Sequence, residues 1–176
     1  MTRHRHAASL RAAREIGAVL YIAHTNFNSL IRNAFYVKNF SKRMREFWLP
    51  FADEAARTRM VICLENLWET GPDIQTEVIS TAGHPNLKAS FDNGHALVFS
   101  PQSAAHWIER LGANLAHCHL HDNSGAADEH KPVGDGRENW TELLKAAQRF
   151  APNAIFVAES DYLERNKLSI DRLRRF

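Results

Sequence analysis

No apolar run in the sequence approaches the roughly 18 residues that a membrane span requires, so no membrane partner is expected. Cysteine is scarce, with only Cys63 and Cys118, both in predicted strands. Cys63 shares strand parity with Glu65, whereas Cys118 alternates against His117 and His119. One therefore points inward and the other outward, a disulfide is not expected, and a reducing cytoplasm is the default location. Neither sign of charge dominates: the net charge of +2 is too small to argue for a nucleic-acid partner. The first 14 residues are rich in Arg and His but lack the Ser enrichment of a transit peptide, and residues 7–16 read as an ordinary helix. Internal repeats, low-complexity tracts and linkers are also missing. The 176 residues suffice for one hydrophobic core and fall short of two, so residues 1–176 read as a single domain.

What is present is a strict alternation of β and α signals. Predicted strands cover 18–24, 60–65, 87–92, 115–121 and 154–159. Between them, helical patterns run over 29–59 (interrupted by Pro50), 73–80, 101–111 and 140–150, with a closing helix over 167–175. Strings such as Val-Leu-Tyr-Ile-Ala and Ala-Ile-Phe-Val-Ala are almost continuously apolar. That pattern belongs to parallel strands buried on both faces by helices. Phe47, Trp48 and Phe51 read as core between helices.

Histidine is the one enriched type, with ten in the chain, and position matters more than number. The strands finish at or near His24, Glu65, Asp92, His119 and Glu159. In a parallel barrel all strand C-termini open onto one face, so these five distant residues converge there. One polar residue at a strand end is ordinarily a solvated loop residue; five at the same topological position point to a site. Carboxylates with imidazole suit a divalent ion such as Mn²⁺, Mg²⁺, Co²⁺ or Zn²⁺. His117 and His121 share the parity of His119 and are expected to serve structure or substrate contact. Asn66 and Trp68, just after Glu65, are candidates for touching substrate, and His4 and His6 are expected in solvent.

The local strings around these ends carry a resemblance. Val-Ile-Cys-Leu-Glu65-Asn66, Phe-Asp92-Asn-Gly-His95, His119-Leu-His-Asp122-Asn and Phe-Val-Ala-Glu159 resemble, in order and spacing, the strand ends of the xylose-isomerase-like barrel superfamily. The run Asp128-Glu-His130-Lys-Pro-Val-Gly134-Asp-Gly136, followed by Trp140, is similar to that family's Asp/His loop and Gly-x-Gly turn. The resemblance implies a divalent metal held by Glu65, Asp92, His119 and Glu159. In its sugar isomerase and epimerase branch, Glu65 and Glu159 face each other across the substrate carbon. They move a proton beside a carbonyl through an ene-diolate. His95, His121 and Asn66 are then the expected contacts to a small-molecule sugar or sugar phosphate. The branch of zinc-dependent apurinic endonucleases implies a larger ligand set, adding His24, His95, Asp128 and His130. The sequence favours the isomerase or epimerase, because it has no basic stripe with interleaved aromatics; Arg172, Arg174 and Arg175 form a solvated terminal run.

One departure carries consequences. A complete (β/α)₈ barrel takes about 250 residues, so the expected fold is an incomplete (β/α)₈ TIM-type barrel, parallel strands with outer helices, its first two βα units missing. An open sheet exposes strand edges, which a second copy of the chain is expected to cover. A truncated barrel without turnover is the remaining alternative.

Overall fold

A computed structural model describes residues 2–176. Five parallel strands, β1 (Leu20–His24), β2 (Val61–Glu65), β3 (Leu87–Asp92), β4 (Leu115–Leu120) and β5 (Ile155–Ala158), pair in sequential order. The sheet curls into a partial barrel flanked by helices, as expected, but its five strands are one fewer than the six of a (β/α)₈ barrel lacking two units. The connecting helices are α1 (Arg3–Glu15), α2 (Ala34–Ala56), α3 (Asp73–Ala82), α4 (Asn93–Phe99), α5 (Ala104–Leu111), α6 (Trp140–Phe150) and α7 (Leu163–Leu173). No described helix is long and apolar enough to cross a membrane. The loop after His130 supplies no strand, only an isolated antiparallel bridge between Asp122 and Lys131.

Helix starts follow side-chain caps. Asn33 accepts from the backbone N–H of Phe35 and Tyr36, which moves the start of α2 later than its apolar pattern suggests. Ser103 and Asn139 cap α5 and α6 in the same way. Contrary to expectation, α2 runs unbroken through Pro50. Proline removes the hydrogen bond to the carbonyl four residues earlier, here Glu46. The Arg3 guanidinium of α1 donates to that carbonyl at 3.1 Å, so the freed acceptor is satisfied. A further helix, α4, was not foreseen; Asp92 caps it by accepting from the N–H of His95 at 2.8 Å.

The core lies between the outer face of the sheet and the helices, in two clusters. Trp48, Phe51, Met60, Ile62 and Leu64 form one under α2. Phe91, Trp107, Ile108, Cys118, Leu120 and Leu143 form the other under α5 and α6. Each such side chain contributes about 1.5–3 kcal/mol through burial. Phe47, Trp48 and Phe51 do pack as core, but His6 corrects the expectation of a solvated residue. It is only 3% exposed, its Nδ1 lies 2.9 Å from the Tyr21 hydroxyl, and its ring meets Trp48 edge-on. Burial lowers its pKa.

A β-bulge decides what β4 presents to the inner face. Ala89 of β3 pairs with Leu115, yet the next residue, Ser90, pairs with His117, so Ala116 is the extra residue. The skip leaves Leu115 in the helix-facing core and turns His117 and His119 inward. Cys63 and Cys118 are both buried free thiols, and burial pushes Cys63 up to about 12. Strands β1 and β5 each pair on one side only, and Ile155 and Val157 on β5 remain 46% and 40% exposed.

Candidate metal centre and active site

Parallel register brings the strand-end residues side by side. His24 lies opposite Glu65, and Asp92 opposite His119. Glu65 is buried, and its two oxygens face different partners. Its Oε1 accepts from Ser90 Oγ at 3.0 Å and lies 2.7 Å from His119 Nδ1. Its Oε2 lies 3.2 Å from His24 Nε2. Burial alone would raise this carboxyl, but the hydrogen bonds from His119 and His24 outweigh it and hold it well below the usual carboxylate range.

His119 Nδ1 is the point where the carboxylates meet: it lies 2.7 Å from Glu65, 3.4 Å from Glu159 and 4.0 Å from Asp92. Glu159, just past β5, is half-buried, and burial pushes its carboxyl up. The two glutamates thus stand in contrasting environments around one imidazole.

Asp92 is wholly buried. Its Oδ1 serves the N-cap of α4 and also lies 3.1 Å from His121 Nε2. Its Oδ2 has no hydrogen-bond partner among the described residues and lies 3.6 Å from His95 Nδ1. A buried carboxylate oxygen left without a donor is costly unless something else satisfies it, and a cation is the natural candidate. Glu65, His119 and Glu159 stand around it and their donor types suit a divalent ion, but each set whose ligand atoms all lie within 4.8 Å of one another also draws on His117 or His121.

The additional candidates gather nearby around Asp128, whose Oδ2 lies 3.3 Å from His95 Nε2 and 3.2 Å from His130 Nε2. The histidines hold its carboxyl down to about 2 against the opposing effect of burial. His95 is raised to about 9: burial works against the charge, but Asp128 and Asp92 win. His130 adopts a left-handed φ of 47° and stacks flat on His121, centroids 4.0 Å apart. Such strain in a non-glycine residue is retained where surrounding contacts over-determine it.

Two expected substrate contacts have other roles in this geometry. Asn66 is buried, with its Nδ2 donating to the Asp92 carbonyl and its Oδ1 accepting from the Asp92 N–H, both at 2.9 Å. The amide therefore fixes the backbone of Asp92 instead of facing the mouth. His121 is also fully buried and bonded to Asp92. It can join Asp92 with Glu159, or Asp128 with His130, in sets whose ligand atoms all lie within 4.8 Å of one another. His117 joins Glu65 and His119 similarly. Its shared parity with His119 was the available signal. Burial, then the neighbouring His119, lowers its pKa to about 4.

His121 depends on Gly94. A Cβ at Gly94 would overlap the His121 ring. Gly94→Ala is expected to cost about 1–3 kcal/mol and to displace His121 from Asp92. Urea unfolding checks this, and an unchanged midpoint would mean that the ring yields freely.

Missed by sequence reasoning was the role of Asp122. It accepts four N–H donors: Asn123 and Glu138 on Oδ1, Gly134 and Trp140 Nε1 on Oδ2, at 2.8–3.2 Å. These bonds shape the loop that carries Asp128 and His130. Gly136 belongs to the same clasp, since a Cβ there would strike Asp122 and Asn123.

A curled parallel sheet whose carboxyl-end face gathers acids and imidazoles defines a partial α/β barrel with a metal-type polar centre. Residues 2–176 match the model of the xylose isomerase-like TIM barrel family, and the chain belongs to that family. It is similar to the uncharacterised protein MJ1311 of Methanocaldococcus jannaschii, 29% identical over 90 residues, covering 51% of this chain and 31% of that protein. Among solved structures it is similar to a D-tagatose 3-epimerase-like protein, with a TM-score of 0.79 and 23% identity over 95% of this chain and 65% of the other. The TTHB071 protein of Thermus thermophilus, soaked with zinc chloride, aligns with a TM-score of 0.76 and 22% identity over 94% and 64%. The chain thus spans about a third of the curated relative and just under two thirds of each of these structures.

Proposed function

We propose that this chain forms the site of a divalent-metal-dependent sugar isomerase or epimerase. The observation that carries the reading is the convergence on His119 Nδ1 of oxygens from Glu65, Asp92 and Glu159, with Asp92 Oδ2 buried and unpartnered among the described residues. The fold likeness to a D-tagatose 3-epimerase-like protein, and to a protein soaked with zinc, supports it.

Glu65, Asp92, His119 and Glu159 would hold the ion, which is Mn²⁺, Mg²⁺, Co²⁺ or Zn²⁺. When bound, it supplies Lewis-acid polarisation of a substrate carbonyl. The protein's part is proton traffic. One glutamate takes the proton from the carbon beside the carbonyl, and the other returns one to the same or the neighbouring atom. Their unequal surroundings, Glu65 buried among imidazoles and Glu159 half-open, suit opposite duties. His95, buried beside Asp128, orients a substrate hydroxyl. Asn66 and His121 hold Asp92 in place from behind.

The test is solvent exchange. A panel of free ketohexoses is incubated with the protein and Mn²⁺ in D₂O, and the proton beside the carbonyl is followed by NMR. Catalysed deuterium uptake that a chelator abolishes is expected; no uptake with any ketose removes this reading.

A second reading has one observation of its own: His24, His95, Asp128 and His130 add more donors around the centre than one ion uses. That set suits a zinc-dependent phosphodiesterase of the apurinic endonuclease type. Chelator-sensitive cleavage of an abasic-site duplex would place it first.

A further inference from the structure

Asn28, Ser29, Leu30, Trp68 and Phe99, from the segments that follow β1, β2 and β3, line an apolar cleft of about 260 Å³. Each wall is a short step from a residue of the centre. Leu30 lies in the loop after His24, Trp68 three residues after Glu65, and Phe99 one helical turn after His95. Three consecutive βα units thus offer a polar residue to the centre and an apolar one to the cleft, on the same face of the sheet.

The cleft is built from tied segments. The buried Glu69 accepts from Thr25 Oγ1 and, at 2.7 Å, from the N–H of Leu67, which joins the Trp68 loop to the end of β1. Ser100 Oγ donates to the Thr70 carbonyl at 2.9 Å, which joins that loop to the end of α4. Asn28 accepts from the N–H of Leu30 on its Oδ1, while its own N–H donates to the Tyr36 hydroxyl. These bonds hold three large apolar side chains open to solvent: Leu30 is 83% exposed, Trp68 40% and Phe99 39%. Apolar groups fixed in solvent on the face that carries a polar centre mark a binding surface.

We propose that this cleft is a subsite for an apolar substituent, aryl or short alkyl, on the sugar held at the centre. The inference rests on the sugar reading above and names its substrate class: a sugar derivative that bears an apolar substituent and keeps a free carbonyl, such as a keto-glycoside, not a sugar phosphate. Phenyl β-D-glucoside, which lacks that carbonyl, serves as a ligand that binds without turnover. None of the five lining residues is ionisable, so the cleft offers no cation to a phosphate, whereas Trp68 and Phe99 offer aromatic faces. The size also fits, because an apolar cavity of about 150 Å³ already admits benzene.

Trp68 makes the test direct. Trp48, Trp107 and Trp140 are buried, so a ligand in the cleft changes the emission of Trp68 first. The protein with Mn²⁺ is titrated with phenyl β-D-glucoside, D-glucose, D-glucose 6-phosphate and benzyl alcohol. The expected result is a saturable change with phenyl glucoside at about tenfold or more lower concentration than with glucose. Glucose 6-phosphate should give none. Phe99→Ala, which keeps the fluorophore and removes one wall, should weaken the phenyl glucoside response by about tenfold. Unchanged emission with both aryl compounds, or a response to the phosphate alone, overturns the subsite. Benzyl alcohol binding that the sugar does not tighten overturns the link to the sugar centre. The exchange experiment on free ketoses reads the centre itself, so failure of the subsite and failure of the sugar reading are told apart.

Discussion

Glu65→Gln should lower metal-dependent proton exchange by about 10²–10⁴-fold, the range that a positioned acid–base group supplies. Glutamine keeps the shape of the side chain but loses the charge and the basic oxygen. At this position the change is severe. Oε1 receives Ser90 Oγ and faces His119 Nδ1, while Oε2 faces His24 Nε2, so an amide nitrogen must meet one of these groups. Weaker uptake of Mn²⁺ is also expected, because a buried anion is lost from the donor set. Glu159→Gln is the informative partner. Glu159 is half-buried and its close charged contact is His119 at 3.4 Å, so the fold should tolerate this change while exchange falls over a similar range. Exchange rates, Mn²⁺ titrations and melting curves on both variants separate lost chemistry from lost structure. Full exchange in either variant would rule out a two-carboxylate mechanism.

Asp122→Ala should destabilise the chain by about 4 kcal/mol, taking about 1 kcal/mol for each of the four N–H donors left without an acceptor. Asp122 is wholly buried, and its donors come from Asn123, Gly134, Glu138 and Trp140, so water can replace the carboxylate only by opening the loop. Against the 5–15 kcal/mol typical of a domain, that loss is a large fraction. The loop between Asp122 and α6 should become the first site of tryptic cleavage, at Arg137, before the rest of the fold yields. Urea unfolding combined with limited trypsinolysis checks both points. A loss under about 1 kcal/mol with the loop still protected would show that the four bonds contribute little.

Much of the fold was legible because its signals are local. Apolar runs bounded by turn residues marked all five strands to within about two residues, and the match at α6 extends to both ends. Where reading along the chain failed, the deciding partner was remote. Pro50 lies inside an unbroken α2, and the carbonyl it frees at Glu46 is met by Arg3, 43 residues earlier. His6 is buried because α1 lies against Tyr21, Trp48 and Phe51. The cap that starts α4 was written in Asp92 itself, but a carboxylate read as a metal ligand was not also read as an N-cap.

The same division holds at the candidate site. The sequence by itself determined that polar residues end consecutive parallel strands, and parallel pairing suffices to bring those ends onto one face. It also determined the side-chain types, and therefore the class of ion they suit. Only the tertiary structure decided which atoms meet. The bulge at Ala116 turns His117 and His119 inward, and it exists only in the pairing of β4 with β3. Asn66 and His121 became supports of Asp92 because residues 26 and 29 positions away stand in hydrogen-bond reach. The physical reason is one of range. Strand and helix patterns follow from each residue's neighbours in the chain, whereas the aim of a buried polar side chain is set by whichever distant group can complete its hydrogen bonds.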